Sequence, residues 1–95
     1  MRQAARIQRK VEDAKKKIKD KEVSGAAAGD KVRAVVSCEG RVKRLEIDAP
    51  FLEAEGLELA LDALAAAVNA ALGAADKEVE AAIAEATGGL KFPGM

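Results

Sequence analysis

The chain has no histidine, tryptophan or tyrosine, and only one cysteine and two phenylalanines among its 95 residues. Each shortage removes a class of function. Without histidine the commonest general base and metal ligand is missing. One cysteine excludes a disulfide framework and the usual zinc sites. With aromatics at 2% of the residues, there is no platform for stacking single-stranded nucleic acid. The core must then be made of Leu, Ile, Val and Ala, which bury less per residue than rings do. The N-terminus has no apolar signal-peptide region, and no uninterrupted apolar run is long enough to span a bilayer. The expectation is one domain, soluble and cytoplasmic, without a membrane, a small-molecule substrate or a cofactor. A domain of this size buries a modest fraction of its surface, which favours pairing with another copy.

The formal net charge is zero, but the charges are segregated. Residues 1–22 hold nine bases against Glu12, Asp13, Asp20 and Glu22, whereas residues 51–95 hold eight acids against Lys77 and Lys91. Such polarity implies a polyanion partner, or a match between the two ends.

Residues 1–21 read as a basic helix. Ala4, Ile7, Val11, Ala14 and Ile18 recur at alternating spacings of three and four, a narrow seam suited to one neighbour. Arg2, Arg6, Arg9, Lys10, Lys16 and Lys17 fall on the opposite side, so the helix is expected to project from the body. The plain reading of this basic face is a solvated surface, with Glu12–Lys16 and Asp13–Lys17 paired at i,i+4.

Residues 23–48 carry two turn signals, Gly25–Asp30 and Glu39–Gly40, and the alternation of β-strands. Val32, Ala34, Val36 and Cys38 alternate with Lys31, Arg33, Val35 and Ser37, and Leu45 and Ile47 with Arg44, Glu46 and Asp48. Val42 is out of phase, which places a bulge or wide turn near Arg41. With a short first strand at Val23–Ser24, the segment is a three-stranded antiparallel meander that must bury a face on a helix. Ala49–Pro50 ends the last strand, and Phe51–Glu55 forms a helical turn closed by Gly56.

A long helix is expected over residues 57–86. Leu57, Leu61, Leu64, Val68, Leu72, Ala75, Val79, Ile83 and Ala86 form one stripe with an eleven-residue repeat, the natural cover for the sheet. Leu59, Ala63, Ala66, Ala67, Ala70 and Ala74 make a second apolar face, assigned here to a homodimer interface. Gly73 marks a close approach or a bend. Residues 87–95, punctuated by Gly and Pro, read as a flexible tail.

Candidate chemistry is sparse. Cys38 alternates with core valines and reads as a packed thiol. Gly25–Lys31 has a passing likeness to a phosphate loop, but lacks the Gly-Lys-Ser/Thr ending and leads into a strand. No catalytic residues and no metal ligands are assigned, and the chain is not expected to be an enzyme.

Taken together, MRQAARIQRKV opening the first helix, Val23-Ser24-Gly25, KVRAVVSCEG, Leu45-Glu46-Ile47-Asp48, the Ala-Val-Asn-Ala segment around Asn69 and the closing TGGL…FPG resemble the YbaB/EbfC family of small nucleoid-associated proteins. That resemblance implies an α-β-β-β-α chain of the α+β class. It implies a homodimer with the first helices as arms, and binding to double-stranded DNA with little sequence preference in the bacterial nucleoid. Arg2, Arg6, Arg9, Lys10, Lys16 and Lys17 are the expected phosphate contacts. Three features differ from the family pattern: no Gly/Met/Phe-rich leader precedes the first helix, Pro50 falls one residue late, and the last helix is acidic at Asp76, Glu78, Glu80 and Glu85. The alternative is a protein-interaction adaptor or holdase, docking its partner on the Ile7, Val11, Ala14 and Ile18 seam.

Overall fold

The computed structural model describes residues 2–88, with side chains from residue 5 onward. The order of elements is α1 (Arg2–Ile18), β1 (Glu22–Ala27), β2 (Val32–Ser37), β3 (Val42–Ile47), α2 (Ala49–Glu55) and α3 (Leu57–Ala86). The three strands form one antiparallel sheet in the order β1-β2-β3, so the chain is α+β with a meander between its helices.

The first turn falls later than its glycine suggests. Gly25 lies within β1, paired with Ala34, and β1 continues to Ala27. The chain reverses through Ala28, Gly29 and Asp30, all at positive φ. The irregularity in the second hairpin also sits beyond Arg41. Val35 pairs with Arg44 and Val36 with Val42, so Lys43 is the extra residue of the bulge. It returns Val42 to the same side as Leu45 and Ile47, which explains the broken phase in the sequence.

Val32, Ala34 and Val36 are fully buried on the face that carries α3. Val35 and Ser37 point the other way and are nonetheless buried. Ser37 closes the second hairpin: its N–H donates to the Arg41 carbonyl at 2.8 Å, and its Oγ accepts from the Arg41 N–H at 3.2 Å. The hydroxyl is thereby satisfied where burial would otherwise penalise it.

The line of α3 that meets the sheet shares Ala75 with the predicted stripe but runs to one side of its leucines. Ala67, Ala71 and Ala75 form the buried ridge against Val32, Ala34 and Val36, while Leu64, Val68 and Leu72 pack at its side. The physical reason is proximity. A Cβ built on Gly25 would lie 2.3 Å from the Ala71 nitrogen and 2.5 Å from the Ala67 carbonyl oxygen. Strand and helix backbones therefore touch, and only alanine leaves room for that. Ala67, assigned from sequence to a dimer face, is fully buried in the chain's own core, and Ala63 packs beside it. Gly73, by contrast, faces open space, so no close approach explains it.

Between β3 and α3, Asp48 caps α2: its carboxylate accepts from the Phe51 N–H at 3.1 Å, with Pro50 in the first turn. This is the pattern expected of an N-cap followed by an early proline. Gly56 ends α2 at φ 87° and starts α3 directly.

With 30 residues, α3 is about 45 Å long, while six-residue strands reach about 20 Å. The helix outruns the sheet, and the molecule measures 59 × 23 × 16 Å. α1 does not project alone. It lies along the second half of α3, with Ala14 buried and Val11 and Ile18 half-buried. An 18-residue window of α3 reaches a mean hydropathy of 1.5, enough by length and composition to cross a membrane, and only 17% of that window is buried within the chain. Among the described residues, much apolar helix surface is thus left without an internal partner.

The Gly25 contact is directly testable. Replacing glycine by alanine inside an ordinary strand stabilises by roughly 0.5–1 kcal/mol, but here the methyl meets main chain that cannot rotate away. Gly25→Ala is expected to lower unfolding free energy by about 2–3 kcal/mol in urea titration, whereas Gly73→Ala raises it by up to about 1 kcal/mol. Equal effects at the two positions would contradict this packing.

Candidate nucleic-acid interface

The basic face rests on how α1 is seated. Ala14 is buried where α1 meets α3, and turning that seam inward exposes Arg6, Arg9, Lys10, Lys16 and Lys17. Lys15, Lys16 and Lys17 also occupy the last turn of α1, where cations complement the helix dipole. Arg2 belongs to the first turn of α1, and its side chain lies outside the described residues. Five of the six residues chosen from sequence therefore have an exposed basic side chain on one helix.

The end of α1 is anchored to the second hairpin. The Cys38 N–H donates to the Lys21 carbonyl at 2.9 Å, and the Glu39 N–H to the Lys19 carbonyl at 3.2 Å. Lys21 Nζ reaches Glu78 of α3 at 2.7 Å. The hydrogen bond to Glu78 and its charge raise the Lys21 pKa from the ordinary lysine value. The pair thus favours the folded state below the unfolded lysine's pKa, and that contribution is lost as pH rises through the folded one. Both side chains are about half exposed, at 53% and 41%, so this pair positions the chain more than it stabilises it.

Two grooves flank α1 where it lies on α3. One is lined by Lys10, Asp13, Ala14, Lys17, Ile18, Ala82, Glu85 and Ala86. The other brings Lys15, Lys16 and Lys19 to Asp76, Val79 and Glu80, with Cys38 and Glu39 at its end. Residues 10–18 share a groove with residues 82–86 and residues 15–19 share one with residues 76–80, so the two helices are antiparallel. Among the described residues the ion pairs are Lys21–Glu78, Arg41–Glu39 and Arg44–Glu46, and none joins an α1 lysine to an α3 carboxylate. The opposite sign of the two segments offered a match between the ends as one of two readings, and the structure seats the basic helix along the acidic one.

The same seating bears on the adaptor alternative. Its docking seam includes Ala14, which is buried, and Ile7, Val11 and Ile18, which are half-buried; α3 already occupies part of it. Elsewhere, Val42, Leu45, Leu57, Leu59 and Leu61 are each 47–64% exposed. Val42 and Leu45 pair with Val36 and Ala34, so they lie on the helix-bearing face of the sheet. Of the predicted dimer face, Leu59, Ala66 and Ala70 are exposed and Ala74 is half-buried.

Cys38 is buried beside these grooves. Burial pushes its thiol pKa up, the Glu78 charge adds to the rise, and Lys21 opposes it. Among the described residues no group of three or more Cys, Asp or Glu side chains is arranged to hold a metal ion.

A family model described as the YbaB/EbfC DNA-binding family matches residues 1–90. A nucleoid-associated protein of Psychrobacter sp. is 41% identical over 97 residues, covering 98% of this chain and 87% of that protein. One from Bordetella avium is 38% identical over 93 residues, covering 98% and 85%. One from Anaeromyxobacter dehalogenans is 32% identical over 95 residues, covering 100% and 92%. In fold, the chain is similar to the crystal structure of an uncharacterized protein from Helicobacter pylori, with a TM-score of 0.64 at 22% identity over 78% of this chain and 86% of that one.

The environment of Cys38 predicts slow chemistry. The folded thiol keeps its proton to higher pH than the unfolded one, so the stability it contributes is whole below the unfolded thiol's pKa and declines as pH rises through the folded value. Iodoacetamide at mildly alkaline pH should alkylate native Cys38 at least about tenfold more slowly than the urea-unfolded chain. Matching rates, followed by mass spectrometry, would show an open thiolate instead.

Proposed function

The chain belongs to the YbaB/EbfC DNA-binding family, and from that premise we propose that it is a nucleoid-associated protein. In this reading it binds double-stranded DNA as a homodimer, in the cytoplasm, with little sequence preference. The observation that carries the proposal is the set of exposed bases on α1, Arg6, Arg9, Lys10, Lys16 and Lys17, displayed by a helix whose seam is seated on α3. Arg2 is included as the first contact of the set. The family is a DNA-binding one and not an enzyme class.

The mechanism is electrostatic. Lysine and arginine side chains on an exposed helix neutralise phosphates and release condensed counterions, which yields affinity without reading bases. The backbone hydrogen bonds from Cys38 and Glu39 to Lys21 and Lys19 hold the helix end against the body. The helix backbone thus approaches the duplex as part of the body, carrying its charges on flexible side chains.

A second copy supplies two such sets. It is also the simplest cover for the exposed apolar surface at Val42, Leu45, Leu57, Leu59 and Leu61, since monomers rarely leave so many large apolar side chains in water together. This shifts the proposed interface from Ala63 and Ala67, which the chain's own sheet uses, toward the open edge of the sheet and the first turns of α3. Leu59, Ala66, Ala70 and Ala74 remain available to it.

Fluorescence anisotropy of a labelled random duplex tests the DNA reading. Log K should fall linearly with log salt at a slope equivalent to roughly 3–8 phosphates. The double variant Lys16→Glu, Lys17→Glu should reduce affinity by at least about tenfold. No binding at low salt would overturn the reading. Sedimentation velocity tests the pairing: the native chain is expected to run as a dimer and the Leu45→Asp, Leu61→Asp variant as a monomer. A native monomer at micromolar concentration would remove the dimer from the proposal.

A further inference from the structure

We infer that the acidic second half of α3 is a built-in competitor for the basic face of α1, so that the chain's grip on phosphate is restrained by its own carboxylates. The inference rests on the DNA-binding reading above and adds to it a regulating part. Lys10 and Lys17 share one groove with Glu85, and Lys15, Lys16 and Lys19 share the other with Asp76 and Glu80. Three of the six expected phosphate contacts, Lys10, Lys16 and Lys17, therefore border carboxylates of another element.

The geometry is poised rather than locked. None of these lysines forms an ion pair with α3 among the described residues, whereas Lys21 and Glu78 do, at 2.7 Å. Lysine is a flexible stem with a compact charge, free to point into its groove or out toward a phosphate. Screening at ordinary salt acts over about 10 Å, so charges that line a common groove contribute to one local potential. The carboxylates therefore lower the positive potential that an approaching duplex meets, and they offer each ammonium an internal alternative. Arg6 and Arg9 sit nearer the N-terminus of α1 and border neither groove. They are the bases left to make the first encounter, and the lysines join once phosphate outcompetes the α3 carboxylates.

The packing leaves the acids free for this part. Asp76, Glu80 and Glu85 are all exposed, none closes a described ion pair, and the core ridge of Ala67, Ala71 and Ala75 does not involve them.

The test compares two isosteric triple variants with the same change in net charge. Asp76→Asn, Glu80→Gln, Glu85→Gln removes the α3 acids of the grooves and leaves Asp13 and Glu39 in place. Asp30→Asn, Glu53→Gln, Glu55→Gln removes exposed acids in the β1–β2 turn and in α2. Residue 57, where α3 begins after α2, lies about 28 Å along the helix from residue 76, well beyond screening range. At about 50 mM salt the groove variant should bind a random duplex about tenfold more tightly than the native chain, and the remote variant less than about threefold more tightly. The groove gain should shrink as salt rises. Circular dichroism checks that both variants keep the native helix content, and the remote triple supplies the same charge change without touching the arm. If the native chain binds and the groove triple gains no more than the remote triple, the restraint is overturned and the DNA reading stands. If neither the native chain nor either variant binds at low salt, the DNA reading falls and the restraint with it.

Discussion

Gly25 against the backbone of α3 is the constraint from which the rest of the molecule is arranged. A strand and a helix normally meet through their side chains; here the main chains touch, because one side supplies glycine and the other Ala67 and Ala71. That approach sets which line of α3 faces the sheet. It brings Val32, Ala34 and Val36 onto the alanine ridge and leaves the larger leucines at the flank or in the open. The exposed apolar surface proposed for a second copy is therefore a consequence of the contact, since the sheet takes the small residues and leaves Leu57, Leu59 and Leu61 uncovered.

The same helix serves two ends of the molecule. Its middle carries the sheet, and its second half carries α1, which is tied in addition to the β2–β3 hairpin through Cys38 and Glu39. Segregated charge thereby becomes local charge opposition: bases and acids separated by some sixty residues in the chain line common grooves. The arm consists of two helices, one basic and one acidic. Its electrostatics cannot be described from either helix alone, because the field over α1 includes the carboxylates beside it.

Much of the architecture was readable before folding was considered. The seam of Ile7, Val11, Ala14 and Ile18 identified α1 and its inward side. Alternation at Val32, Ala34 and Val36 identified β2, and Pro50 with Gly56 bracketed α2. The errors have physical causes. Gly25 was read as a turn residue because glycine commonly supplies positive φ, whereas here its missing side chain matters. Of the two readings of Gly73, a close approach or a bend, the structure excludes the first, since open space surrounds it.

The chain's periodicities and charges determined its element types, its element order and the basic side of α1, because each depends on neighbours within one or two turns. The tertiary structure decided which strip of α3 meets the sheet. A helix apolar on most of its surface offers several faces of similar hydropathy, and only the steric demand of a backbone contact separates alanine from leucine. The tertiary structure also decided that α1 lies antiparallel on α3 with lysines facing carboxylates. Charge sign records an attraction, but proximity across the chain arises only when the intervening sheet folds the two helices together.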